Sequence, residues 1–120
     1  MKAILLVSHG SRSPRSRQEN IELTELLKKK SGAAFAGHAF LEADTPSIPE
    51  GIEACAAQGA REIVILLNFL NSGKHVLSDI PALVEESRKR HPGIKIRVTP
   101  PIGTHPGIGD LFLEWINGVS

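Results

Sequence analysis

Ala3-Ile4-Leu5-Leu6-Val7-Ser8-His9-Gly10-Ser11-Arg12 is an uninterrupted apolar run that breaks into a polar, glycine-containing turn. A continuous run of this kind reads as a central parallel strand, covered on both faces, with His9 just beyond its carboxyl end. Ile63-Val64-Ile65-Leu66-Leu67 repeats the pattern and leads through Asn68 to Gly73-Lys74-His75-Val76. Ile94-Lys95-Ile96-Arg97-Val98-Thr99 alternates strictly, which predicts one wetter face and an edge position. Ala34 to Leu41 is the weakest strand signal. Its period-2 set is Phe35, Gly37, Ala39 and Leu41, and the alternation of elements requires it.

Helical patterns fill the intervals. Residues 16–30 carry Ile21, Leu23, Leu26 and Leu27, and Lys28-Lys29-Lys30 suits a helix C-terminus. Ser47-Ile48-Pro49-Glu50 has the form of a capping box, followed at helical spacing by Ile52 and Cys55 until Gly59. Asp79 is expected to cap the next helix, with Pro81 in its first turn and Ile80, Leu83, Val84 and Ser87 facing inward. His91-Pro92-Gly93 stops that helix. Pro106 opens a last helix with Ile108, Leu111, Phe112, Trp115 and Ile116 on one side. The predicted fold is α/β: a small four-stranded parallel sheet with right-handed crossovers and helices on both faces. Residues 1–120 are expected to form a single domain.

Composition excludes several classes. The chain has four Phe, one Trp and no Tyr, so Ile, Leu, Val and Ala must build the core. A net charge of +1 without aromatic residues among the basic ones gives no case for nucleic acid. Cys55 is the one cysteine, so an intrachain disulfide and a cysteine-based zinc or iron–sulfur site are not expected; a buried thiol is. No apolar stretch approaches a membrane span of about 18 residues, and Ala3 to Val7 is too short for a signal core. A cytoplasmic location is the expectation.

Open parallel sheets bind ligands beyond the carboxyl ends of their strands. The first strand delivers Ser8, His9, Ser11 and Arg12 there; the second Glu42, Asp44 and Thr45; the third Asn68, Asn71, Ser72, Lys74 and His75; the fourth Thr99, Thr104 and His105. His9, beside Gly10, and His75, after Gly73, are read as metal or catalytic residues. Glu42 is read as a third ligand or a proton acceptor. Neutral imidazole suits Fe2+, Co2+ or Ni2+, and two histidines with one carboxylate leave the coordination shell open. His105 is read as a loop or helix-start residue, and His38 and His91 as packing or capping residues. The turn after the first strand has neither the dinucleotide nor the Walker glycine pattern, so NAD and ATP are poor fits and no organic cofactor is expected. The Gly-x-Ser-x-Gly elbow of acyl hydrolases is absent as well. Arg12, Arg15, Arg17 and Lys74 favour an anionic ligand rich in carboxylates.

The motifs Ser8-His9-Gly10-Ser11-Arg12, Phe40-Leu41-Glu42-Ala43, Gly73-Lys74-His75 with Asp79-Ile80-Pro81, and Pro101-Ile102-Gly103-Thr104-His105-Pro106 resemble the small single-domain sirohydrochlorin chelatases of the class II chelatase superfamily. The resemblance spans about residues 3 to 112. It implies a chelatase-like fold, a homodimer, and insertion of Co2+, Fe2+ or Ni2+ into sirohydrochlorin, a tetrapyrrole with eight carboxylates. On that basis His9 and His75 bind metal and, with Glu42, act in catalysis. Ser11, Arg12, Asn71, Ser72 and Lys74 are the expected substrate contacts. The family often has proline where this chain has Asn68, a polar change expected at the cleft. A noncatalytic metal or tetrapyrrole carrier would use the same residues and is the alternative reading.

Overall fold

The alternation of apolar runs and helical stretches produces β1 (Lys2–Ser8), α1 (Pro14–Ser31), β2 (Phe35–Phe40), α2 (Ile48–Ala57), β3 (Glu62–Leu67), α3 (Ile80–Arg90), β4 (Lys95–Pro101) and α4 (Ile108–Gly118). A π-helical turn, His75–Asp79, runs directly into α3, and a 3-10 turn, Ile102–Thr104, follows β4. The structure is a computed structural model and describes residues 1–118. All pairings are parallel and the strand order is β2-β1-β3-β4. The two most apolar runs therefore occupy the centre. The alternating run lies at an edge, as expected, where Pro100 and Pro101 need donate no ladder bond on the outer side.

One face of the sheet carries the core. Ala3, Leu5 and Val7 of β1, Ile63, Ile65 and Leu67 of β3, and Ile96 of β4 pack against Ile48, Ile52 and Cys55 of α2 and Ile80 and Val84 of α3. Each large side chain buried in this way contributes about 1.5–3 kcal/mol. Gly51 permits the close approach of α2: a Cβ there would stand 2.9 Å from Ala39 Cβ and from Leu5 Cδ1. The capping box is realised in both directions, with Glu50 N–H donating to Ser47 Oγ and Ser47 N–H to Glu50 Oε1. Burial pushes the Cys55 thiol up to about 11. Native protein is therefore expected to resist thiol-directed reagents at about pH 8, because the thiolate is the reactive form. One equivalent should react only after unfolding; prompt reaction of folded protein would mean that α2 opens.

The opposite face departs from the sequence pattern. The leucines that mark α1 as helical are not its buried residues; Asn20 and Thr24 are, while Leu23 and Leu26 are exposed. The reason is lateral placement. This helix lies over β1 and β2, so Asn20 meets the end of β1 while Leu23 and Leu27 border an open groove beside it. Leu6, Leu66, Pro101 and Ile102 also line the groove, with Asn68, Thr99, Thr104 and His105 among its polar residues, and its volume is about 540 Å³.

The last helix begins at Ile108, two residues beyond the expected Pro106, and buries none of its residues. The axes measure 49 × 32 × 29 Å and the radius of gyration is 14.8 Å, where a compact 120-residue chain has about 13.6 Å. No helix among the described residues is long and apolar enough to cross a membrane.

Candidate metal centre

The carboxyl ends of β1, β2 and β3 are stitched together at one edge. Leu41 N–H donates to Ser8 O at 2.9 Å and Glu42 N–H to His9 O at 3.0 Å, continuing the β1–β2 ladder past both strands. Gly10 makes this approach possible. Its φ of +111° is a conformation that L side chains rarely adopt, and a Cβ would stand 1.7 Å from Glu42 O. His9 Nε2 then donates to Glu42 Oε1 at 2.8 Å.

His75 comes from the third strand's loop. Its ring centroid lies 5.4 Å from that of His9, with the planes tilted by 60°. Nδ1 of His75 is 2.6 Å from Asp79 Oδ2. An ionised carboxylate only accepts, so this nitrogen carries the proton and Nε2 of the neutral ring keeps its lone pair. Asp79 is thus not a helix cap, as the sequence had suggested. Its backbone is already helical and its side chain makes no capping bond, because the π turn extends the helix back to His75 and brings the two side chains onto one side. The i, i+4 spacing was the available signal.

One donor atom each from His9, Glu42 and His75 lie within 4.8 Å of one another. Ligands at about 2.0–2.2 Å from an ion stand no more than ~4.4 Å apart, so small side-chain rotations suffice to bring them onto one centre. His9 and Glu42 are exposed and His75 is half-buried, which keeps one side of the cluster open.

Beneath the cluster is a buried polar clamp. Ser8 Oγ donates to Asn20 Oδ1 at 2.8 Å, and Asn68 Nδ2 reaches Ser8 Oγ at 3.1 Å and Asn20 Oδ1 at 3.2 Å. Asn20 Nδ2 donates onward to Ser16 O at 3.0 Å. Asn68 therefore joins β1, β3 and α1 rather than presenting its amide to the cleft. Such satisfied networks fix geometry, and leaving one member unpaired costs about 1–3 kcal/mol.

The remaining candidates divide. Arg12, Arg15 and Lys74 are exposed, with no ion pair among the described residues, whereas Arg17 is paired with Asp44. Asn71 and Ser72 are exposed in the loop before Lys74. Ser11 Oγ accepts from Ser13 N–H at 3.0 Å and so also shapes its own turn. His105 Nδ1 accepts from Gly107 N–H at 2.8 Å, and His91 closes α3 with its Nε2 2.8 Å from Glu53 Oε1, the helix-start and capping roles expected of them. His38 packs edge-on to Phe40; burial, and then Arg17, hold its pKa below the ordinary histidine range.

A protein-family comparison matches residues 3–118 to CbiX. The chain belongs to the CbiX family. This CbiX chain is 34% identical over 114 residues to the chloroplastic sirohydrochlorin ferrochelatase of Arabidopsis thaliana, covering 95% of itself and 49% of that protein. With the sirohydrochlorin cobaltochelatase of Saccharolobus solfataricus it shares 32% identity over 123 aligned positions, covering 98% and 94% of the two chains. The crystal structure of the sirohydrochlorin chelatase SirB from Bacillus subtilis subspecies spizizenii in complex with cobalt superimposes with a TM-score of 0.86 at 32% identity, over 98% of this chain and 50% of that one. The CbiX chain thus spans about half the length of several relatives it matches.

Proposed function

We propose that this chain is a sirohydrochlorin chelatase that inserts a divalent metal, Co2+, Fe2+ or Ni2+, into sirohydrochlorin, with residues 1–120 forming one chelatase-like unit that pairs into a homodimer. The observation that carries this reading is the convergence of His9, Glu42 and His75 from three strand ends around an open position. A structural site would be closed by a full ligand set; a metal that must be handed on needs vacant coordination positions. The names of the relatives, ferrochelatase and cobaltochelatase acting on sirohydrochlorin, support the substrate.

In this reading His9 shifts to the tautomer with its proton on Nδ1, on the side of Gly10 O, which frees Nε2 and Glu42 for the ion, and the ion also takes the free Nε2 of His75. Arg12 and Lys74 hold peripheral carboxylates of the macrocycle, with Ser11, Asn71 and Ser72 as neutral contacts. Insertion replaces two pyrrole N–H protons with one divalent ion. As ligand exchange proceeds, Glu42 and the imidazoles released from the metal accept those protons and pass them to water.

Asp79 has a supporting part. By fixing the His75 tautomer it raises the basicity of the metal-facing nitrogen, and loss of such outer partners typically costs 10–100-fold in affinity, as a rough range. Asp79→Asn is expected to weaken Co2+ binding by about that factor with the fold intact. Equal Co2+ affinity in variant and parent, measured by titration, would remove Asp79 from the site.

The deciding assay is an anaerobic time course of the macrocycle absorbance change with Co2+, Fe2+ and Ni2+, with and without catalytic amounts of protein. Multiple turnovers with at least one metal are expected. Stoichiometric binding without acceleration would identify a carrier and end the chelatase reading.

A further inference from the structure

The polar clamp beneath the metal cluster lies where apolar side chains would be the cheaper choice. Ser8 and Asn20 are only 7% and 9% exposed, and Ser8 ends a strand that is apolar from Ala3 to Val7. Burying such groups is unfavourable unless each lost hydrogen bond is replaced. Here every donor has its place. Asn68 gives one N–H to Ser8 Oγ and the other to Asn20 Oδ1, the Ser8 hydroxyl donates to Asn20 Oδ1, and Asn20 Nδ2 donates to Ser16 O.

The places of these residues in the chain give the clamp its meaning. Ser8 immediately precedes His9, and Asn68 opens the loop that ends at His75. The two segments carrying the imidazoles therefore leave the sheet from side chains bonded to each other at 3.1 Å. Asn68 N–H adds a 2.8 Å bond to Val7 O. On its far side the loop is seated against the turn after β4. Gly103 N–H donates to Phe69 O at 3.0 Å, and a Cβ on Gly103 would stand 1.9 Å from Leu70 O. Only residues 71–74, all exposed, lie between that seat and His75.

We propose that Ser8 and Asn68 are positioning residues of the metal centre. With Asn20 they give the two ligand arms a common root, and so set the separation at which His9 and His75 meet one divalent ion. Their role rests on the chelatase reading above. None of the three belongs to the donor set, and their effect is geometric. The imidazole centroids stand 5.4 Å apart, and a misplacement of about 1 Å at a reacting centre costs on the order of 100-fold in rate.

The test compares the full chain with Ser8→Ala, Asn68→Ala and the double variant. Thr24→Val is the control, because Thr24 Oγ1 donates to Asn20 O at 2.7 Å in a buried bond of α1 outside the clamp. Asn68 is half-buried and its truncation leaves Ser8 bonded to Asn20, so Asn68→Ala decides alone if circular dichroism shows Ser8→Ala unfolded. Each clamp variant is expected to bind Co2+ about 10-fold more weakly, with altered ligand-field absorbance. Its kcat should fall by about 10–100-fold, while KM for sirohydrochlorin stays that of the parent because Arg12 and Lys74 are untouched. The double variant should be no slower than the worse single one, since the members act as a unit. Thr24→Val should lower Tm and keep the parent's Co2+ spectrum and kcat. Clamp variants that lose only Tm, with the parent's spectrum and kcat, overturn the proposal, as does an equal change of spectrum in Thr24→Val. A parent without turnover ends the chelatase reading, and the Co2+ affinities and spectra of the variants then still decide the clamp.

Discussion

Turnover in His9→Ala and in His75→Ala is expected to fall by at least about 100-fold relative to the parent, the lower end of what one positioned imidazole contributes to catalysis. Each ring supplies one of the three donors that converge among the described residues, and the loss of either leaves two. The two variants should differ in a secondary way. Without His9, Glu42 loses its 2.8 Å partner and becomes a solvated carboxylate. Without His75, Asp79 is left beside an empty arm but the linked β1 and β2 turns persist. Co2+ titrations followed by ligand-field absorbance should therefore register weaker binding in both. Glu42→Gln should retain more affinity while slowing insertion, because an amide is no proton acceptor at neutral pH. Parent-like rates in both histidine variants would refute the assignment, whatever their metal affinity.

A second large effect is expected at a residue with no side chain. Gly10→Ala places a Cβ 1.7 Å from the carbonyl oxygen of Glu42, in a backbone conformation alanine seldom takes. The left-handed region alone costs roughly 1–2 kcal/mol for an L residue, and the collision must be relieved by separating the two turns. The expected loss of stability is about 2–4 kcal/mol, within the range for strain at a special backbone position. Urea denaturation measures it directly. Metal affinity should fall with it, since the same movement parts His9 from Glu42. A variant with parent-like stability and Co2+ affinity would mean that the β1–β2 junction tolerates displacement and does not set the donor geometry.

Much of this was legible in the sequence because parallel sheets write their order in hydrophobicity. The fully apolar runs at Ala3 to Val7 and Ile63 to Leu67 became the two central strands, and the alternating Ile94 to Thr99 an edge. His9 and Glu42 were legible because each lies just past a strand, and His75 because the loop that carries it follows one; parallel topology gathers strand ends. What was hidden has a common cause in lateral position, which periodicity does not encode. Helical spacing gave α1 an apolar face, yet displacement over β1 and β2 turned Asn20 inward and left Leu23 beside an open groove. Helical spacing likewise gave α4 a stripe without saying what it would meet. Asp79 was misread because a carboxylate before Ile80-Pro81 has the appearance of a cap; the π turn consumed that role and aimed it at His75.

The three donors are not equally anchored. His9 and Glu42 ride on turns locked to each other by backbone hydrogen bonds, whereas His75 arrives on a separate limb braced by Asp79. Any adjustment in the span of the cluster must then be taken up chiefly by that one limb, as the movable jaw of a calliper works against a fixed one. If the proposed metal site holds, ions of different radius would be gripped by the same residues without rebuilding the sheet edge, and release would begin where the restraint is least.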